Sequence, residues 1–124
     1  MFRFVILSLC LVCGQAIAHQ MTPTYPKLIQ SPVDGVLQTT MNLFNRRDDV
    51  IYYEIGVYND KWEPLPFATK SRLIKLQYAH SVNIDVYIRE KDKNTARYIC
   101  TTSLIEKDKA AESNISSRIC SKIK

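Results

Sequence analysis

Strict two-residue alternation of apolar and polar side chains runs through the middle of this chain and leaves few folds open to it. In residues 82–89, Val82, Ile84, Val86 and Ile88 point one way and Asn83, Asp85, Tyr87 and Arg89 the other. That period belongs to a strand with one buried and one wet face, whereas a helix needs its apolar residues three or four apart. The same period recurs upstream. Leu37, Thr39, Met41 and Leu43 share one face of residues 36–44, and Ile51, Tyr53, Ile55 and Val57 share one face of the next run, opposite Tyr52, Glu54 and Tyr58. Residues 72–77 and 96–104 read as further strands, and 114–123 as the last, with Ile115, Ile119 and Ile123 aligned.

Polar turns separate these runs: Asn45-Arg46-Arg47-Asp48-Asp49, then Asn59-Asp60-Lys61, then the charged stretch 90–94. Pro64 and Pro66 restrict the next segment to an edge strand or a loop. Residues 106–112 have the length of a short helix but no apolar face at helical spacing. About seven short strands joined by polar turns in a chain of this size point to an all-β fold, an antiparallel β-sandwich.

The first eighteen residues stand apart from this pattern. Arg3 precedes an apolar stretch over residues 4–12, and Ala16-Ile17-Ala18 places small residues at the −3 and −1 positions of a cleavage site. This is the composition of a secretory signal peptide, cut before His19. The apolar stretch is too short to span a bilayer, which takes about 20 apolar residues. Lipidation requires a small residue before the modified cysteine, and Leu9 and Val12 precede Cys10 and Cys13. The expected product is a single domain over residues 19–124, periplasmic or extracellular, with no integral membrane segment after cleavage.

Cleavage removes Cys10 and Cys13 and leaves Cys100 and Cys120. In an oxidising compartment the simplest outcome is one intramolecular disulfide, worth roughly 3 kcal/mol for a loop of this length. Two free thiols or a bond to another chain are the alternatives. Because Cys120 alternates with Ile119, the bond is expected on the outer surface of the sheet. No metal site is expected, since neither cysteine has a CxxC partner and the histidines are His19 and His80.

The formal net charge of +5 loses only Arg3 on cleavage and becomes +4. Acidic and basic residues are interspersed, and no dense basic run with interleaved aromatics marks a nucleic-acid partner. Catalysis finds no footing either. His80 sits in a polar connection, the phosphate-cradling glycine loops are missing, and no cofactor is implied. The aromatics Tyr52, Tyr58, Trp62 and Phe67 cluster around one strand and the proline loop. Trp62 and Phe67 are expected to fold back over the end of the sandwich. The alternative is a partner surface built from Tyr52, Tyr58 and Trp62.

The order of these segments resembles the N-terminal immunoglobulin-like domain of periplasmic pilus chaperones, the PapD-like family. Asp34-Gly35 leads into a strand ending Leu43-Phe44-Asn45, similar to that family's second strand and its Asn-containing turn. Residues 53–61 resemble the third strand and its turn, Arg72-Leu73 the step before the next strand, and Tyr98 with Ser117-Arg118-Ile119 the last two strands. The resemblance implies an immunoglobulin-like sandwich that binds a pilin-like subunit through an exposed strand edge. It also implies that a basic residue on the last strand anchors the subunit's carboxylate terminus, here Arg118, with Lys27 the candidate for a second cation on the first strand.

The chain departs from that pattern in three places. The family's second domain has no counterpart before Lys124, the last strand lacks a series of large apolar residues before Ile115, and its aromatic-proline ending is replaced by Cys120-Ser121-Lys122-Ile123-Lys124. The alternative function is a structural or adhesive module of a cell surface or virus particle. An exposed edge strand would also permit a homodimer.

Overall fold

The computed structural model describes residues 18–104 and 116–124, and within them nine strands form two antiparallel sheets. In chain order the strands are β1 (Gln20–Thr22), β2 (Ile29–Gln30), β3 (Val36–Phe44), β4 (Tyr52–Tyr58), β5 (Phe67–Ala68), β6 (Leu73–Lys75), β7 (Ser81–Arg89), β8 (Tyr98–Leu104) and β9 (Arg118–Lys122). Sheet one runs β1-β3-β7-β5, with β2 also on β3; sheet two runs β6-β4-β8-β9. The expected sandwich is present. The strands that the sequence pattern does not show, β1, β2 and β5, are pieces of two or three residues, too short to show a period. Asn114, Ile115 and the 106–112 segment lie outside the described residues.

Alternation sets the register. β3 and β7 pair along their whole length from Val36↔Arg89 to Phe44↔Ser81, which puts Leu37, Thr39, Met41 and Leu43 opposite Ile88, Val86, Ile84 and Val82 on the inner face. On the outer face Thr40 Oγ1 donates to Asp85 Oδ1 at 2.7 Å and Asn42 Nδ2 to Asn83 Oδ1 at 2.9 Å. A slip of one residue would exchange these two sets, so the register is strongly specified. Sheet two contributes Tyr53, Ile55, Val57 and Ile99 to the shared core, with Ile123 at its edge.

The turn at 45–49 is not an exposed polar loop. β3 lies in sheet one and β4 in sheet two, so the connection crosses the sandwich and takes polar groups inside: Asn45 is 0% exposed and Arg47 8%. Asn45 Nδ2 donates to the carbonyls of Val50 and Leu76 at 2.7 and 2.8 Å. Its Oδ1 accepts the Arg47 amide at 2.9 Å and the Tyr53 hydroxyl. All four hydrogen-bonding positions of the amide are used. Burial pushes the Tyr53 phenol up to about 12, so it stays a donor at physiological pH. Arg47 forms a bidentate pair with Asp49, Nε to Oδ1 at 2.9 Å and Nη2 to Oδ2 at 2.6 Å.

His19 also joins the two sheets, beside this crossing. It is 2% exposed and its ring packs 4.7 Å from that of Tyr53. Nε2 lies 3.1 Å from the Thr101 carbonyl, which only accepts, so Nε2 carries the proton and Nδ1 accepts from Ser117 Oγ at 3.2 Å. Burial, aided by the nearby Arg47 charge, lowers the imidazole below its ordinary 6.5, against the opposing pull of the Thr101 carbonyl. The unfolded chain therefore gains a proton near 6.5 that the folded protein resists. Stability is expected to be full above that pH, to fall as pH drops from about 6.5 toward the lowered folded value, and to change no further below it. Urea unfolding at pH 7.5 and 5 should show the loss, and His19→Gln should remove the part due to this group.

Candidate functional site

The outer face of sheet two carries a cluster that starts from an ordinary turn. After β4, Asn59 Oδ1 accepts the amides of Lys61 and Glu63, each at 2.9 Å, and the Trp62 amide donates to the Asn59 carbonyl at 3.1 Å. This pattern holds Trp62 at φ +63°, the left-handed region. A bulky L-residue there is disfavoured by about 1–2 kcal/mol, and strain of this kind gathers where a side chain is needed in one place. The consequence is visible in the indole. It lies flat on Tyr98, with ring centroids 4.2 Å apart and planes 7° apart, yet Trp62 is 49% exposed.

Sheet pairing brings the rest together. Tyr58, Tyr98 and Lys122 form one cross-strand row, Gly56, Cys100 and Cys120 the next, and Glu54, Thr102 and Arg118 the third. Tyr58 leans back over the middle row: a Cβ at Gly56 would stand 2.7 Å from its Oη and 3.0 Å from its Cε2 and Cζ. Arg118 reaches across from the other side, its Cζ 4.3 Å from the Tyr58 ring centroid and 5.4 Å from that of Trp62. The Cys100–Cys120 disulfide joins directly opposite residues of β8 and β9, Cα atoms 4.1 Å apart. It faces outward as its alternation requires, yet Cys100 is 1% exposed, since the rings and guanidinium roof that row.

Among the described residues Arg118 is placed without an ion-pair partner. Among the described residues the ion pairs are Arg47–Asp49 and Arg89–Asp92, so its guanidinium is steadied by aromatic faces and keeps its hydrogen-bond fork for another group. A cation over aromatic rings at an exposed site is worth about 0.5–1 kcal/mol, enough to bias the rotamer without consuming the N–H donors. Next to it lies the edge of sheet two. Lys122 and Lys124 donate their amides to the carbonyls of Thr24 and Pro26, at 3.0 and 2.9 Å. Among the described residues no strand is hydrogen-bonded to the β9 edge from Arg118 to Cys120, and β1 lies alongside it, tied in place by His19 at Ser117 and Thr24 at Lys122.

Of the residues singled out in sequence, Arg118, Tyr58, Trp62, Cys100 and Cys120 converge here. Tyr52 shares the outer face but lies at the far end of β4, paired with Lys75 and Leu104, about 20 Å from Tyr58 at strand rise. Lys27 is exposed and follows Pro26, which sits beside Lys124. Six residues of extended chain separate Lys124 from Arg118, about 20 Å, so the two cations are not brought together. Phe67 packs against the core, with Arg72 Cζ 4.6 Å from its ring, while Trp62 does not plug the sandwich. Tyr98 was not singled out; its alternation marks it as outward, but its place beside Tyr58 depends on strand order.

No family model and no curated protein sequence matches the chain. Its backbone is similar to that of an ASH / PapD-like domain of human CEP192, PapD-like domain 7, with a TM-score of 0.56 over 85% of this chain and 81% of that one at 4% identity. The fold is PapD-like. The periplasmic chaperone SfaE is also similar, with a TM-score of 0.51 and 12% identity over 86% of this chain. The match spans 56% of that chaperone's length. PapD-like architecture is thus shared by a human protein and a periplasmic one, and at these identities the likeness concerns the fold. Among the described residues no helix is long and apolar enough to cross a membrane.

Proposed function

We propose that this PapD-like domain is an exported protein-binding module that lays a partner segment along the unpaired part of the β9 edge, on the outer side away from β1, and fixes a carboxylate of that segment at Arg118. One observation carries the reading: Arg118 is held over Tyr58 and beside Trp62 with no carboxylate partner among the described residues. An arginine fork binds a carboxylate through two parallel charge-assisted bonds, and the flanking rings supply flat apolar area for the neighbouring residues. The likeness to SfaE supports chaperone-like handling of a subunit, possession of a leader-like N-terminus supports export, and both leave the client to experiment.

Capture of partners from the native source by the wild-type protein and by Arg118→Ala tests this. Loss of the fork should weaken the complex by about 1.5–3 kcal/mol, roughly tenfold or more, while the melting temperature falls by only about 2–8 °C, as the lost cation–π contact of about 0.5–1 kcal/mol implies. A partner retained equally by both proteins, in a stable surface or particle assembly, would favour the structural module instead. Trp62→Gly separates binding from folding. Glycine relieves about 1–2 kcal/mol of left-handed backbone, which offsets the lost stack of the half-buried indole on Tyr98, so the fold should survive while the partner is lost. A Trp62→Gly protein that binds normally would remove the indole from the site.

A further inference from the structure

On the opposite edge of the sandwich the two sheets part. β5 covers only Tyr87 and Ile88 of β7 before the chain leaves at Thr69 and crosses to start β6 in the other sheet. Among the described residues, β7 from Ser81 to Val86 is therefore paired on one side alone, and β6 is the outermost strand of sheet two. The gap between these edges is a groove of about 550 Å³. Leu73, Ile74, Val82 and Ile84 make its apolar wall, and Lys70, Lys75 and Asp85 stand at its polar margin. Thr69 Oγ1 is buried in this lining and has no hydrogen-bond partner among the described residues. A buried hydroxyl is ordinarily satisfied, so this one marks the place where β5 ends and the chain leaves the sheet with its polar groups incompletely paired.

We infer that the groove is a second binding site, which takes an extended segment of another protein as an added strand on β7. The geometry selects the chemistry. A row of unpaired strand amides and carbonyls is recognised by another strand, and the aliphatic wall accepts every second side chain of such a segment. Lys70 and Lys75 have no ion pair among the described residues, against the single Asp85, so the segment is acidic at its flanks. The site is separate from the Arg118 face, since β6 and β9 are opposite edges of sheet two, and it does not rest on that reading.

A random peptide library displayed on phage and selected against the full protein tests it, with binders mapped by amide chemical shifts and hydrogen exchange. The expected binders alternate aliphatic residues, carry Asp or Glu at an end, and protect the alternate amides of residues 81–86 that point away from β3. Lys70→Glu combined with Lys75→Glu should weaken them about fivefold, as the loss of two rim charge pairs implies, while Arg118→Ala leaves them unaffected. Absence of an alternating consensus, or binders that map to Trp62 and Arg118, would overturn the site. So would protection of residues 81–86 by self-association before any peptide is added, since the occupant would then be a second copy of this chain.

Discussion

Asn45→Ala is expected to destabilise the domain by about 3–5 kcal/mol, a large share of the stability of a small domain. The side chain is fully buried and serves the Val50 and Leu76 carbonyls, the Arg47 amide and the Tyr53 hydroxyl. Its removal leaves these groups in the interior without their partner, at about 1–3 kcal/mol for each one that stays unsatisfied. Asn45→Asp should do no better, because an acceptor would then face two carbonyls. Urea unfolding followed by tryptophan fluorescence checks this: the midpoint should fall with the slope unchanged. A shift under about 1 kcal/mol, at the bottom of the range for one unsatisfied group, would mean that water replaces the amide and that the 45–49 crossing is not a structural node.

The second large effect concerns the disulfide. Cys100 and Cys120 are 20 residues apart, and opening a loop of that size should cost about 3 kcal/mol in the chain-entropy model. For a domain of this length that is roughly a 12–24 °C fall in melting temperature. Cys100→Ser with Cys120→Ser, or the wild-type protein in reductant, should show it. The bond also fixes the edge strand that carries Arg118 beneath Tyr58 and Trp62, so partner binding should weaken along with stability. A melting temperature unchanged by reductant would show that β9 is held by its pairing with β8 and by the Thr24 and Pro26 carbonyls instead.

Alternation made most of the core legible in sequence. The inner faces of β3, β4 and β7 emerge from residues 36–44, 53–57 and 82–89, and the outward disulfide from the offset between Cys120 and Ile119. What period two cannot carry is anything decided across the sandwich. β1, β2 and β5 have only two or three residues each, so they are defined by their partners rather than by a pattern of their own. Asn45 and Arg47 read as turn residues because local sequence does not distinguish a turn in water from a crossing between sheets. His19 gave no sign of burial for the same reason, as its partners Thr101 and Ser117 lie far along the chain.

The candidate site divides in the same way. Tyr58 and Trp62 are close in sequence and are legible there as a candidate surface. Tyr98 and Arg118 reach them only because sheet two orders its strands β4-β8-β9 and registers Tyr58 against Tyr98 and Tyr98 against Lys122. The same order puts Lys27 at the far end of β9, away from Arg118. The site that results is one cation on an aromatic platform beside an unpaired stretch of edge, rather than a pair of cations.

The most direct test of this site uses the partner recovered from the native source. Two peptides of its carboxyl-terminal sequence, one ending in the free acid and one in the amide, would be titrated against wild-type protein and Arg118→Ala. The wild type should prefer the free acid by about tenfold or more, as one charge-assisted fork implies, and Arg118→Ala should bind both equally weakly. Equal affinity of the wild type for acid and amide would contradict a carboxylate site at Arg118.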